Sequence, residues 1–140
     1  MKYIVAESEQ VFEVSSPEAV MKAIQEIYTE EQLMFQEIFW VIPLQHGKMF
    51  EAVELFKGGT DCCPVFLPTL FRAVLLTPGA DSFIVAHNHP SGDTTPSRED
   101  IKLTKDVKKA AEIMKLGLTD HIIVTPKGDY VSLAERGELY

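Results

Sequence analysis

The sequence His87-Asn88-His89-Pro90, followed by Ser97-Arg98-Glu99-Asp100, concentrates the side chains best suited to chemistry. At the end of a strand, residues i and i+2 project to the same side, with Cα atoms about 6.5–7 Å apart. Two imidazoles at that spacing can converge on one ion through bonds of about 2 Å. Asn88, between them, points the other way and is free to tie down the backbone. Asp100 falls in the first turn of a helix capped by Ser97, where the helix dipole favours an ionised carboxylate. The intervening Pro90–Pro96 loop is short and closed by prolines, so the helix start stays near the strand end. Two neutral nitrogens and one carboxylate suit Zn²⁺, and three protein ligands leave a position for water, as in catalytic rather than structural sites. His-x-His and Ser-x-x-Asp are each common alone; joined in this way they point to a one-metal hydrolase.

The elements that must position these residues follow from pattern and punctuation. Ser82 to Ala86 is a short apolar strand running into His87. Ser97 begins a long helix whose buried face is marked by Leu103, Val107, Ala110, Ala111 and Met114, with Gly117 as its stop. Upstream, Lys2–Ala6 and Val11–Val14 resemble short strands. Ser16 as cap with Pro17 at the first position, or Ser15 with Glu18 as a capping box, opens a helix with Val20, Ile24 and Ile27 as its apolar face, ending near Glu30. Glu37–Leu44 is a buried strand, Gln45–Lys48 a turn, and Met49–Phe56 the returning strand, broken by Gly58-Gly59. Pro68 to about Leu76 is a helix. His121–Thr125 and Tyr130–Leu133 are strands joined by Pro126–Asp129, and Ala134–Leu139 forms a last helical turn. Alternating helices and strands with two hairpins imply an α/β fold with a mixed sheet flanked by helices.

At 140 residues the chain reads as one domain, 1–140, without repeats or linkers. Its 46% hydrophobic content excludes a disordered polymer, and its net charge of −8 opposes direct nucleic-acid binding. Lys102, Lys105, Lys108 and Lys109 read as a solvated helix face rather than a basic patch. Adjacent Cys62 and Cys63 are poorly placed to bridge each other and imply reduced thiols. With no long apolar run and no cleavable leader pattern, a cytoplasmic protein without membrane contact is expected.

His-x-His-Pro, six residues, then Ser-x-x-Asp is the signature of the JAMM (MPN-plus) metalloproteases, and His87, His89, Pro90, Ser97 and Asp100 match it in full. More closely, AHNHPSGDTTPSREDIKLTKDVKKA and LTDHIIVTPKGDYVSLAERG resemble the C-terminal domain of the bacterial RadC family, from about Glu37 to Gly137. The resemblance implies the JAMM fold, related in outline to cytidine deaminases, and a Zn²⁺ site held by His87, His89 and Asp100. It also calls for an upstream glutamate next to an apolar strand. Glu37, opening EIFWVIPL, has that setting; Glu30, Glu31 and Glu51 compete. In such a site Glu37 is the general base and acid, and Ser97 donates its hydroxyl to the oxyanion. The same Ser97 oxygen is wanted as a helix cap, and a hydroxyl can serve both.

Two departures stand out. The helix-hairpin-helix segment usual in RadC chains has no room before the JAMM-like part, and Pro64–Thr69 lacks a VHPRE-like stretch. His121 is expected to be a hydrogen-bonded structural histidine, His46 a solvated turn residue and Trp40 core. Two functions remain in view: a zinc-dependent peptidase or isopeptidase acting on a peptide or protein substrate, or a non-catalytic docking module linked to protein assembly or DNA repair.

Overall fold

The computed structural model describes residues 13–58 and 65–139. The expected Lys2–Ala6 strand and the Cys62–Cys63 pair lie outside these residues, as does the first half of Val11–Val14; Val14 itself bridges Lys48.

Helix α1 spans Pro17–Ile27, with the Ser16 side chain accepting from the Ala19 amide at 3.0 Å. Val20 and Ile24 are fully buried, but Ile27 is exposed, because the helix stops there rather than near Glu30. Thr29 starts a separate helix α2, Glu30–Phe35, with a reciprocal capping box between Thr29 and Gln32. Only Leu33 of α2 is buried, so this short helix carries almost no apolar periodicity to betray it.

Strand β1 spans Glu37–Gln45, and every residue up to Leu44 is buried. The returning segment is split into β2, Lys48–Met49, and β3, Val53–Gly58, both antiparallel to β1, where a single strand was expected. Within the β1–β3 pair the register shifts between Phe39 and Trp40, opposite Phe56 and Glu54. Helix α3 is Leu67–Leu75, β4 is Ser82–Asn88, and α4 is Arg98–Ile113. Strand β5 is Gly117–Val124, and β6 is Tyr130–Ser132. Gly117 is therefore not the helix stop. Lys115 takes the left-handed conformation (φ 61°) after the Met114 cap, and Gly117 begins β5. Met114, expected on the buried face, lies beyond the last helical residue and is exposed. Residues 133–137 form turns rather than a helix.

The six-stranded sheet has the order β2-β1-β4-β5-β6, with β3 also on β1; β4 and β5 are parallel and the other pairs antiparallel. This is a mixed α/β fold with helices on both faces, in keeping with a JAB/MPN-like architecture. Period-two alternation divides the core. Ile38, Trp40, Ile42, Ile84, Ala86, Ile122 and Val124 pack on the face covered by α1 and α2. Phe39, Val41, Phe83 and Val85 pack against α3 and α4 on the other face. Trp40, 1% exposed, is core as expected. Among the described residues, no helix is long and apolar enough to cross a membrane.

Candidate metal centre

The alternation that sorts the core also sorts the chemistry. His87 lies in β4 on the α4 face, in line with Phe83 and Val85, while Asn88 faces α2. Strand β1 delivers Glu37 to the same face as Phe39, whose register partner is His87. The ring of Phe39 lies parallel to His87, with centroids 5.7 Å apart, and braces the imidazole. His89 follows the strand end, and its backbone amide still bonds to the Val124 carbonyl at 2.9 Å. Asp100 arrives from the first turn of α4.

These side chains meet. His87 Nε2 and His89 Nε2 are 3.1 Å apart, and each lies 3.2 Å from an Asp100 carboxylate oxygen. His87, His89 and Asp100 thus form a group able to hold a metal ion. His89 Nδ1 faces the Asp93 carbonyl at 2.6 Å. A carbonyl only accepts, so a neutral His89 carries its hydrogen on Nδ1 and turns the Nε2 lone pair inward. Four ligand atoms at about 2.0–2.1 Å around a tetrahedral ion stand about 3.3 Å from one another. The observed separations come close to that figure, so the donor set fits a small divalent cation.

Ser97 and Asp100 close a capping box. The Ser97 side chain accepts from the Asp100 amide at 3.0 Å, and Asp100 Oδ2 accepts from the Ser97 amide at 2.8 Å. Burial pushes the Asp100 carboxyl up, but hydrogen bonds with His87 and His89 and from the Ser97 amide outweigh it and hold the group well below the ordinary carboxylate range. Glu37 is 8% exposed and its Oε1 lies 3.9 Å from His87 Nε2. Burial raises its proton affinity, and the two histidines only partly offset this. The competing acids are elsewhere: Glu30 and Glu31 are exposed in the first turn of α2, and Glu51 is exposed between β2 and β3.

The residue between the histidines has the anchoring part expected of it. Asn88 Oδ1 accepts from the Ile38 amide at 2.6 Å, while its Nδ2 donates to the carbonyls of Leu33 and Gln36 at 2.8 and 3.0 Å. Those contacts grip the backbone on both sides of Glu37. His121 is fully buried and bonded to His87 Nδ1 at 2.8 Å, which agrees with a hydrogen-bonded rather than ligating residue. Its partners, His87 and Thr104, lie far off in sequence, and only the fold brings them together. His46 is an exposed turn residue with φ 49°, its amide bonded to Asp81. Lys102 reaches Asp106 at 3.1 Å, and the exposed Lys105 and Lys109 continue a solvated face, but Lys108 is half-buried and donates to the Leu139 carbonyl at 2.8 Å.

The profile of the RadC-like JAB domain matches residues 14–138. The chain belongs to the RadC-like JAB domain family. The match starts well ahead of Glu37, so α1 and α2 are part of the family domain rather than a preface to it. Curated relatives agree. A UPF0758 protein of Histophilus somni is 36% identical over 138 residues, covering 97% of this chain and 60% of the relative. One from Clostridium perfringens is 36% identical, covering 96% and 57%. Another, from Psychrobacter sp., is 42% identical over 99 residues, covering 70% and 43%. The chain spans no more than about three fifths of these relatives' length.

Proposed function

We propose that this RadC-like JAB domain is a zinc-dependent hydrolase acting on peptide or isopeptide bonds. The observation that carries the reading is the convergence of His87, His89 and Asp100, with the buried Glu37 carboxylate 3.9 Å from His87 Nε2. The imidazole and carboxylate donors favour Zn²⁺ over harder ions. When bound there, zinc supplies Lewis acidity that brings water's acid–base chemistry to neutral pH. Glu37 takes a proton from the attacking water and returns it to the leaving amine. Its raised proton affinity helps the second half of that task. Ser97 accepts from the helix and keeps one hydrogen to donate to a developing oxyanion. Asn88 fixes the backbone around Glu37, so the carboxylate is placed before substrate arrives.

The test is elemental analysis of the chain and of His89→Ala, with hydrolysis of an isopeptide and peptide library by wild type and Glu37→Gln. The expected result is near-stoichiometric zinc lost in His89→Ala, and hydrolysis abolished by chelator and by Glu37→Gln. Absence of zinc from the wild type refutes the site. Zinc without chelator-sensitive hydrolysis refutes the enzyme and leaves a metal-holding docking module.

A further inference from the structure

Behind the three converging side chains lies a second, wholly buried line of polar groups. His87 Nδ1 is 2.8 Å from His121 Nε2, His121 Nδ1 is 2.6 Å from the Thr104 hydroxyl, and that hydroxyl is 2.8 Å from the Asp100 carbonyl. His87, His121 and Thr104 are each no more than 1% exposed. Phe39 braces both rings, stacked on His87 and edge-on to His121. No carboxylate enters this line, although a histidine ligand usually leans on a carboxylate, a backbone carbonyl or water.

We propose that Thr104 and His121 form a reversible hydrogen-bond relay that hands His87 to a metal ion as the Nδ1–H tautomer, His121 being a positioning residue. A neutral His121 carries one hydrogen and offers one acceptor. Two arrangements satisfy every member. In one, Thr104 donates to His121 Nδ1, His121 Nε2–H donates to His87 Nδ1, and His87 Nε2–H points at Asp100. In the other, Thr104 donates to the Asp100 carbonyl and accepts from His121 Nδ1–H. His121 Nε2 then accepts from His87 Nδ1–H, and the His87 Nε2 lone pair faces the ligand position. Each of the three residues holds one hydrogen in both arrangements; reversal passes the His121 Nε2 hydrogen to His87 Nδ1 and the Thr104 hydrogen to His121 Nδ1, while the hydrogen released from His87 Nε2 is returned to Thr104 through water. A hydroxyl is the only group in the line that can rotate between donating and accepting at one position. A third histidine without that hydroxyl would leave a buried N–H unpaired in the metal-holding arrangement.

The inference rests on the metal site proposed above, and the measurements separate the two. Zinc affinity is read by competition with a chromophoric chelator for wild type, Thr104→Val, Thr104→Ser, His121→Leu and His121→Gln. Urea denaturation of the metal-free proteins serves as the stability control. Thr104→Val and His121→Leu are expected to bind zinc about 10–100-fold more weakly. Thr104→Ser restores the affinity. His121→Gln, whose amide oxygen can accept from His87 Nδ1–H, stays closer to wild type than His121→Leu. Imidazole ¹⁵N spectra of the zinc-loaded wild type are expected to show His87 and His121 both as Nδ1–H. If His121→Leu does not fold, the Thr104 pair and the spectra carry the test. Wild-type affinity in Thr104→Val, or a zinc-loaded His121 bearing its hydrogen on Nε2, overturns the relay while leaving the metal site standing. A wild type that binds no zinc overturns both.

Discussion

Asn88 offers the sharpest test of how this fold holds its site. The side chain is fully buried and makes three hydrogen bonds to backbone groups of α2 and β1. Asn88→Ala removes all three and strands one N–H and two carbonyls in the interior. At about 1 kcal/mol per bond, with a further penalty for partners that water cannot reach, the loss is about 3–5 kcal/mol. For a chain of this length, 1 kcal/mol shifts the midpoint by about 3–4 °C, so Tm is expected to fall by about 9–20 °C. Urea denaturation followed by circular dichroism measures the free energy directly, with an unchanged m-value showing that two-state behaviour is kept. Asn88→Leu, which keeps volume but no polar atoms, is expected to lose as much, since the orphaned groups belong to the backbone. Below the transition, the variant is expected to loosen Glu37 and to lower the proposed hydrolysis on the order of 10²-fold. A loss under about 1 kcal/mol in both variants would show that α2 and the start of β1 are held by something else.

Gly92 stands at φ 88° with open space around its α-carbon, so Gly92→Ala meets backbone strain alone, about 1–2 kcal/mol. Its loop supplies the Asp93 carbonyl to His89, so chelator competition should show weaker zinc binding. Ser97→Ala is expected to cost about 1 kcal/mol in urea denaturation through the lost cap, plus a further 10²–10³-fold in hydrolysis. Ser97→Thr restores the cap; loss of stability without loss of rate would remove Ser97 from the chemistry. Burial raises the Asp120 carboxyl above its ordinary range, against hydrogen bonds from Ser132, Ala134 and His121. The folded state therefore holds that proton more tightly than the unfolded chain. Asp120 favours folding at low pH, and this contribution is lost as pH rises through the folded-state value. Urea midpoints from pH 3.5 to 6 should shift in favour of Asp120→Asn as pH rises; a shift the other way would contradict the sign.

Local rules made much of this legible. Ser16 with Pro17, and Ser97 with Asp100, announce helix starts that the structure places where the residues indicate. His-x-His at a strand end needs only the two-residue period to put both imidazoles on one side, and Glu37 reaches the site by the same alternation along β1. What escaped is what local pattern does not encode. Helix α2 buries Leu33 and little else, so it has a cap but no stripe. The returning strand divides where Phe50 donates to the Pro43 carbonyl but Pro43 has no N–H to return the bond, and the pairing with β1 resumes at Val53 one residue out of register. Lys115 adopts a left-handed turn that glycine was expected to supply, since three residues, not six, separate the end of α4 from the start of β5. His121 and Thr104 gave no motif because their partnership spans a parallel strand pair and a helix crossing.

The Asp100 carboxylate ties the chemistry to the folding energetics. Three lone-pair donors brought within 3.1–3.2 Å repel one another unless a cation or a proton lies among them. Left to itself, such a cluster would open. Asp100 resists opening because Oδ2 is also the acceptor for the Ser97 amide, and because the first turn of α4 favours a negative charge. The cap that starts the helix therefore holds the ligand that finishes the site, and neither role can be removed alone by alanine. Asp100→Asn separates them better than Asp100→Ala, since the amide oxygen can still accept from Ser97 while the charge is gone. Helix stability in that variant should stay near wild type while zinc affinity collapses. An ordinary helix cap that happened to lie near two histidines would instead show no change in zinc binding at all.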